Sequence, residues 1–142
     1  MIALSVRQPW CHAILLAGKR IENRDWRTSF RGRVLLHASK GCARVEYESA
    51  VASIWAANPD VVVPPLAELP RGALVGAMTV VNCVDRPPPG QERWWCGPYA
   101  LVLENVFVLP RPVPCGGARG FWRVPPDVAR QVRELAAGGA TP

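Results

Sequence analysis

The stretch SVRQPWCHAILLAGKRIENRDWRTSFRGRVLLHASK (Ser5–Lys40) decides the fold of this chain and carries most of its charge. Between residues 19 and 40, seven Lys and Arg side chains are offset by only two acids, so this part holds +5 of the formal net charge of +6. Trp10 and Trp26 lie on either side of its most charged run. Because tryptophan is costly to leave on a surface without a ligand or a partner, the combination indicates a binding site.

Helix and strand signals follow one another clearly within this stretch. Pro9 is typical of the first turn of a helix, where its missing N–H costs nothing, and Gly18 is typical of the residue that follows a helix. We therefore expect a helix over residues 9–17 and strands over residues 20–26 and 34–39. Alternation along the first of these strands places one set of side chains on a common face: Arg20, Glu22, Arg24 and Trp26.

The rest of the chain continues with more strands than helices. Strands are predicted over residues 2–6, 73–84, 98–109 and 119–124, helices over 43–57 and 125–137, and Pro/Gly-rich connectors over 59–70 and 109–117. The helix over 43–57 is predicted to pack through Val45, Ala52 and Trp55. About six strands with two to three flanking helices argue for an α+β fold, a small, mixed, partly closed β-barrel.

The length of the chain favours a single domain over residues 1–142, with a flexible C-terminal tail over residues 137–142. No apolar run reaches the roughly 20 residues that a membrane-spanning helix needs. The first ten residues lack the basic and apolar regions of a signal peptide, so a cytoplasmic location is expected.

The five cysteines are scattered and form no CxxC pair, which argues against a disulfide scaffold and against a zinc site. We therefore predict no metal and no cofactor. The pI near 9.6 favours an acidic partner, although weakly. His37 lies within an apolar strand, where a lone histidine is typically a hydrogen-bonded core residue rather than a catalyst.

The motifs of this stretch closely resemble those of the N-terminal half of the ASCH domain family, whose fold is PUA-like. They are Q-P-W at the start of a helix, a glycine and a lysine at its end, I-E-x-R-x-W in the next strand, R-G, and a strand that ends in H-A-S-K. The later runs GALVGAMTVV and WCGPYALVLENV are similar to strands of the family's second half. The resemblance covers about residues 2–124.

The resemblance implies a cleft between the barrel and the helices, proposed in the family to bind RNA. By motif position, the residues expected in or near this cleft are Ser5, Gln8, Trp10, Lys19, Glu22, Arg24, Trp26, Arg31, His37, Ser39 and Lys40. Indole and guanidinium planes can stack on a base, and Lys19, Arg31 and Lys40 can neutralise phosphates. Glu22 and Gln8 can hydrogen-bond a base edge or a ribose hydroxyl. This chemistry predicts a module that holds single-stranded RNA, another single-stranded nucleic acid or a modified nucleoside.

The alternative is a small hydrolase of the same fold, either an acetylcytidine-type amidohydrolase or a ribonuclease, with Lys19 and Glu22 as its catalytic residues. A branch of the family resembles amidohydrolases that use a lysine, a threonine and a glutamate. Lys19 matches that lysine, but Glu22 stands in place of the threonine, and the strand from Ala73 offers no matching glutamate. A carboxylate beside Lys19 favours its protonated form, which is neither nucleophile nor base.

A third interpretation is a protein-interaction module. The adjacent Trp94 and Trp95 would then form an exposed apolar patch that contacts a protein partner.

Overall fold

The computed structural model describes residues 1–138. Its elements in chain order are strand β1 (Ile2–Val6), helix α1 (Trp10–Leu16), strands β2 (Ile21–Arg24) and β3 (Gly32–Ala38), helix α2 (Arg44–Ala57), strands β4 (Ala73–Val84), β5 (Tyr99–Pro114) and β6 (Phe121–Arg123), and helix α3 (Pro126–Ala137). Single 3-10 turns at Leu66–Glu68 and Glu92–Trp94 lie in the loops before β4 and β5.

The C-terminal end of the predicted tail lies outside the described residues, which stop at Gly138. Ala137, where that tail was expected to begin, is the last residue of α3. Within residues 1–138, none of the helices has the length and apolar character that crossing a bilayer requires.

All six strands form one mixed sheet in the order β2–β5–β4–β3–β1–β6. The β1–β3 pair is parallel, and every other neighbouring pair is antiparallel. The sheet curls into a half-barrel with three helices, which confirms the predicted α+β, mixed and partly closed barrel of about six strands.

The two edges of this half-barrel approach each other without strand pairing, and side chains bridge the gap. The guanidinium Nη2 of Arg24, on β2, donates to the carbonyl oxygen of Ser5, on β1, over 2.6 Å. The rings of Trp26 and Phe30 lie 5.8 and 4.6 Å from the ring of Phe121 on β6. We call this gap, bridged by Arg24, Trp26, Phe30 and Phe121, the seam.

Alternation along the strands divides the apolar side chains between two cores. Leu4 and Val6 of β1 point to the concave face, where they pack with Ile14 of α1. Ala3 of the same strand points to the opposite face, which α3 covers through Val132 and its neighbours. The sheet is therefore buried on both faces, and α1 sits inside the half-barrel.

Several predicted bounds differ from the structure. Strand β3 covers Gly32–Ala38 rather than residues 34–39, and α1 is one residue shorter at each end than predicted. Strand β2 ends at Arg24, opposite Tyr99, because the Gly97-Pro98 pair that precedes Tyr99 cannot extend the ladder. Strand β6 is confined to Phe121–Arg123. Strand β5 instead continues to Pro114, through a segment predicted as a connector; its prolines are tolerated because the register with β4 shifts there, as is usual at a bulge.

The predicted packing face of α2 is wrong. Val45 and Trp55 are 77% and 53% exposed, whereas Ala50 and Ile54 are buried. Ile54 packs against α1, so α2 rests on α1 and does not touch the barrel core directly.

Close approach of α1 to the sheet depends on Gly76 in β4. A Cβ atom at this position would lie 2.5 Å from the carbonyl oxygen of Phe107 and 2.6 Å from Cδ2 of Leu15, well inside van der Waals contact. We expect Gly76→Ala to lower the free energy of unfolding by about 1–3 kcal/mol, since β4 must move away from the backbone of β5 and the side chain of Leu15 must shift. Denaturant titration measures the loss.

Gly116→Ala is the matched control, because a Cβ atom there meets no atom within 4 Å. It should leave stability within about 0.5 kcal/mol of the parent. Equal stability of the two variants would contradict this tight packing at Gly76.

Candidate functional site

A cleft of about 1540 Å³ lies along the seam, between the half-barrel, α1 and the loops that precede β5 and β6. It brings together most of the predicted site residues, namely Ser5, Trp10, Lys19, Glu22, Arg24, Trp26, His37, Ser39 and Lys40. The motif positions, which are dispersed over β1, α1, β2 and β3, therefore converge in one place.

A chain of three charged side chains forms the floor of the cleft. Nζ of Lys19 lies 3.1 Å from Oε1 of Glu22, and the other carboxylate oxygen lies 3.3 Å from Nη2 of Arg24. Only 2% of the Lys19 side chain and 12% of the Glu22 side chain are exposed. The expected proximity of Lys19 and Glu22 is thus confirmed as a buried ion pair.

The end of α1 directs Lys19 into this position. Gly18 adopts φ +80°, which a residue with a Cβ atom rarely does, and turns the chain back toward the helix. The backbone N–H of Lys19 donates to Ala13 over 3.2 Å. Its ammonium donates to the carbonyl oxygen of Ile21 over 2.6 Å and lies 5.4 Å from the ring centre of Trp10.

Arg24 connects the floor to the aromatic part of the cleft. Its guanidinium bonds Ser5 across the seam and lies 5.6 Å from the ring centre of Trp26. The guanidinium Nε is buried and has no hydrogen-bond partner among the described residues. One arginine therefore holds Glu22, the opposite sheet edge and an indole plane together.

Ser5 and His37, neighbours on β1 and β3, form a closed hydrogen-bond network. Nε2 of His37 lies 2.7 Å from the carbonyl oxygen of Cys115, which can only accept, so this nitrogen carries the hydrogen. Nδ1 then accepts from the hydroxyl of Ser5 over 3.2 Å, and the indole N–H of Trp122 donates to that hydroxyl over 2.8 Å. His37 is 2% exposed and acts as a buried anchor for the loop after β5.

One wall of the cleft carries Trp94 and Trp95, contrary to the prediction of an exposed patch. Both are half-buried, and Trp94 packs near Ile54. Asn23 fixes this wall: its amide nitrogen donates to the carbonyl of Trp94 over 3.0 Å, and its amide oxygen accepts from the backbone of Cys96 and Gly97 over 2.9 and 3.1 Å.

Two predicted residues lie outside the cleft lining. Gln8 is buried and bonds the carbonyl of Pro70 and the backbone N–H of His12, so it stabilises the start of α1. Arg31 is exposed and donates to the carbonyls of Thr28 and Phe30 in its own turn.

Sequence reasoning missed several residues of the cleft. They include Asn23, Arg71, Arg93 and the segment Cys115–Gly120, which contains Arg119. The sequence held only a weak signal for these residues, because most of them lie in or directly after Pro/Gly-rich connectors. Contacts between residues distant in the chain bring those connectors to the seam.

Cys11 of α1 is a buried packing residue rather than a reactive thiol. Full burial raises the pKa of the Cys11 thiol well above its ordinary value, so this thiol stays protonated and donates to the carbonyl of Val6. Partial burial raises the pKa of the Cys42 and Cys115 thiols as well.

Comparison with known proteins gives consistent results. The family described as ASCH domain matches residues 4–107. The chain is 25% identical over 130 residues to human activating signal cointegrator 1 and 28% identical over 130 residues to the mouse protein of the same name. Each alignment covers 85% of this chain and 22% of the relative, so the chain spans about a fifth of the length of these curated relatives.

A solved structure described as ASCH from Zymomonas mobilis is similar in fold. It superposes with a TM-score of 0.53 at 12% sequence identity and covers 94% of both chains.

The buried ion pair predicts an asymmetric effect on stability. Glu22→Gln leaves the Lys19 ammonium buried without its carboxylate, and we expect a loss of about 3–5 kcal/mol in the free energy of unfolding. Lys19→Met should cost less, because Glu22 keeps Arg24 as a partner. Denaturant titration of both variants measures the difference.

The exposed pair formed by Arg7 and Glu46, 2.7 Å apart, is the control. Glu46→Gln should change stability by less than about 1 kcal/mol. A Glu22→Gln variant as stable as Glu46→Gln would show that the floor does not depend on this pair.

Proposed function

Because this chain belongs to the ASCH domain family, we propose that its cleft binds single-stranded RNA, with an unpaired nucleotide held between tryptophan side chains and free cations. The observation that carries the proposal is the joint presence of both groups in one cleft. The lining tryptophans are Trp10, Trp26, Trp94 and Trp95, and the lining cations without a carboxylate within 4.0 Å among residues 1–138 are Lys40, Arg71, Arg93 and Arg119.

The tryptophans support recognition of unpaired bases. Every base has a π-face, and stacking on an aromatic ring contributes roughly 1–3 kcal/mol per base whatever the sequence. The bases of a duplex are already stacked on each other and cannot enter such a cleft without being extruded. Trp94 and Trp95 are half-buried, and Asn23 holds the backbone of their loop, so their main chain loses little freedom on binding.

The free cations support a polyanionic ligand rather than an uncharged one. Lys40 is exposed at the end of β3, and Arg93 and Arg119 are exposed in the loops on the other sides of the cleft. Cations with no acidic partner are available to neutralise phosphates, and release of counterions then drives association.

The carboxylate of Glu22 adds a polar group to this site. Lys19 and Arg24 engage its two oxygens, and the remaining lone pairs can accept hydrogen bonds from a base edge or a ribose hydroxyl. The same pairing supports binding over hydrolysis, because an ammonium held by Glu22 and the carbonyl of Ile21 is occupied as a donor.

The first prediction for this function concerns salt. Affinity for a fluorescent single-stranded RNA should fall as salt rises, and Lys40→Gln should reduce the slope by about 0.7 log unit per log unit of salt for one lost phosphate contact. Arg31→Gln removes the same charge from the same segment but outside the cleft, so its slope should match the parent. Fluorescence anisotropy at several salt concentrations measures both.

Binding that ignores salt, or equal slopes for the two variants, would contradict the proposal. The RNA recovered from these titrations should be intact. RNA cleavage that disappears in Lys19→Arg, with binding retained, would establish the hydrolase instead, since arginine cannot release its proton in a protein.

The second prediction concerns Trp26. If its ring stacks on a base, Trp26→Ala should weaken RNA binding about tenfold or more. Trp26→Phe, which keeps an aromatic plane beside Arg24, should recover part of the affinity. Thermal unfolding of both variants separates this effect from packing against Phe121: lost stability with unchanged RNA affinity would assign Trp26 to the seam alone.

A further inference from the structure

The loop between β5 and β6 is hydrogen-bonded to the rest of the protein at both ends but not in its middle. The backbone N–H of Cys115 donates to Gly72 over 3.0 Å, and the carbonyl of Cys115 accepts from His37. At the other end, the carbonyl of Gly120 accepts from the backbone of Ser5. Between these anchors, the backbone N–H groups of residues 116–119 have no hydrogen-bond partner among the residues that the structure describes.

These four residues line the cleft, and His37 dictates how close their backbone comes. A Cβ atom at Gly117 would lie 2.4 Å from the imidazole of His37, so only glycine allows the loop to cross the ring at this distance. A Cβ atom at the neighbouring Gly116 would meet no atom within 4 Å. The loop thus lines the cleft with backbone that has little side-chain cover and whose N–H groups are unpaired among residues 1–138.

Two cations accompany these donors. Arg119 belongs to the loop itself, and Arg71 precedes Gly72, the residue that binds the loop's first anchor. Neither guanidinium has a carboxylate within 4.0 Å in the described part of the chain. Within residues 1–138, Arg71 donates to the carbonyl of Lys40 over 3.4 Å, and Lys40 also lines the cleft.

We propose that residues 116–119, together with Arg71 and Arg119, form a phosphate-binding subsite of the cleft. Successive main-chain N–H groups in a loop create a concave anion site, and arginine matches phosphate oxygens with paired donors. The inference rests on the proposed RNA function and extends it, because it places the phosphate at the glycine-rich end. The base of the bound nucleotide then faces the tryptophans.

Inorganic phosphate tests the subsite without RNA. In a titration followed by ¹H–¹⁵N NMR, the amide signals of residues 116–119 should shift together and saturate. Arg119→Gln should weaken this binding about tenfold, as expected for the loss of one charge-assisted pair. Arg111→Gln, an exposed arginine of β5 outside the cleft lining, should leave it unchanged.

RNA then tests the subsite within its ligand. A series of oligonucleotides, each with one phosphate replaced by an uncharged methylphosphonate, should reveal one position at which the replacement weakens binding to the parent protein but not to Arg119→Gln. A 5′-phosphorylated and a 5′-hydroxyl oligonucleotide distinguish a terminal phosphate from an internal one as the group bound.

The outcomes separate the two proposals. If RNA binds but the amides of residues 116–119 ignore phosphate and every methylphosphonate costs the parent and Arg119→Gln equally, the subsite is overturned and the RNA function stands. If phosphate shifts these amides but no RNA binds, the RNA function fails while the anion site is supported.

Discussion

The buried contact of Lys19, Glu22 and Arg24 is the interaction on which the rest of the structure depends. Burying charges is costly, and removing one partner from such a set leaves an uncompensated charge in a poorly hydrated place. Here Lys19 belongs to the turn that ends α1, Glu22 and Arg24 both belong to β2, and Arg24 also bonds Ser5 on β1. The ionic contact therefore fixes where the helix sits in the half-barrel and how far apart its edges lie.

Local signals in the sequence were sufficient for the elements around this contact. Pro9 and Gly18 mark α1 because each has a backbone requirement that acts within one turn, and the apolar run over residues 73–84 marks β4. The convergence of Lys19, Glu22 and Arg24 could be predicted as well, because a helix end and the strand directly after it cannot be far apart. The family resemblance extended that group across the seam to His37 and Lys40.

The remaining features depend on contacts between residues distant in the chain. Gln8 and Arg31 carry polar groups that suit a ligand site, yet carbonyls at Pro70 and Phe30 engage them. Trp94 and Trp95 are shielded because Asn23, some seventy residues earlier, binds their loop. The packing face of α2 could not be predicted from the spacing of its apolar residues. This helix buries only a narrow stripe against α1 rather than a whole face against the sheet.

Side chains alone bridge the seam, whereas main-chain hydrogen bonds join the neighbouring strands elsewhere in the sheet. Strand ladders respond to strain cooperatively, since shifting one pair disturbs its neighbours, whereas a guanidinium and three aromatic rings can adjust one rotamer at a time. The width of the opening therefore depends on the side chains at Arg24, Trp26, Phe30 and Phe121, which bridge it. Single substitutions at these positions can therefore change the width of the opening in evolution while the half-barrel stays the same.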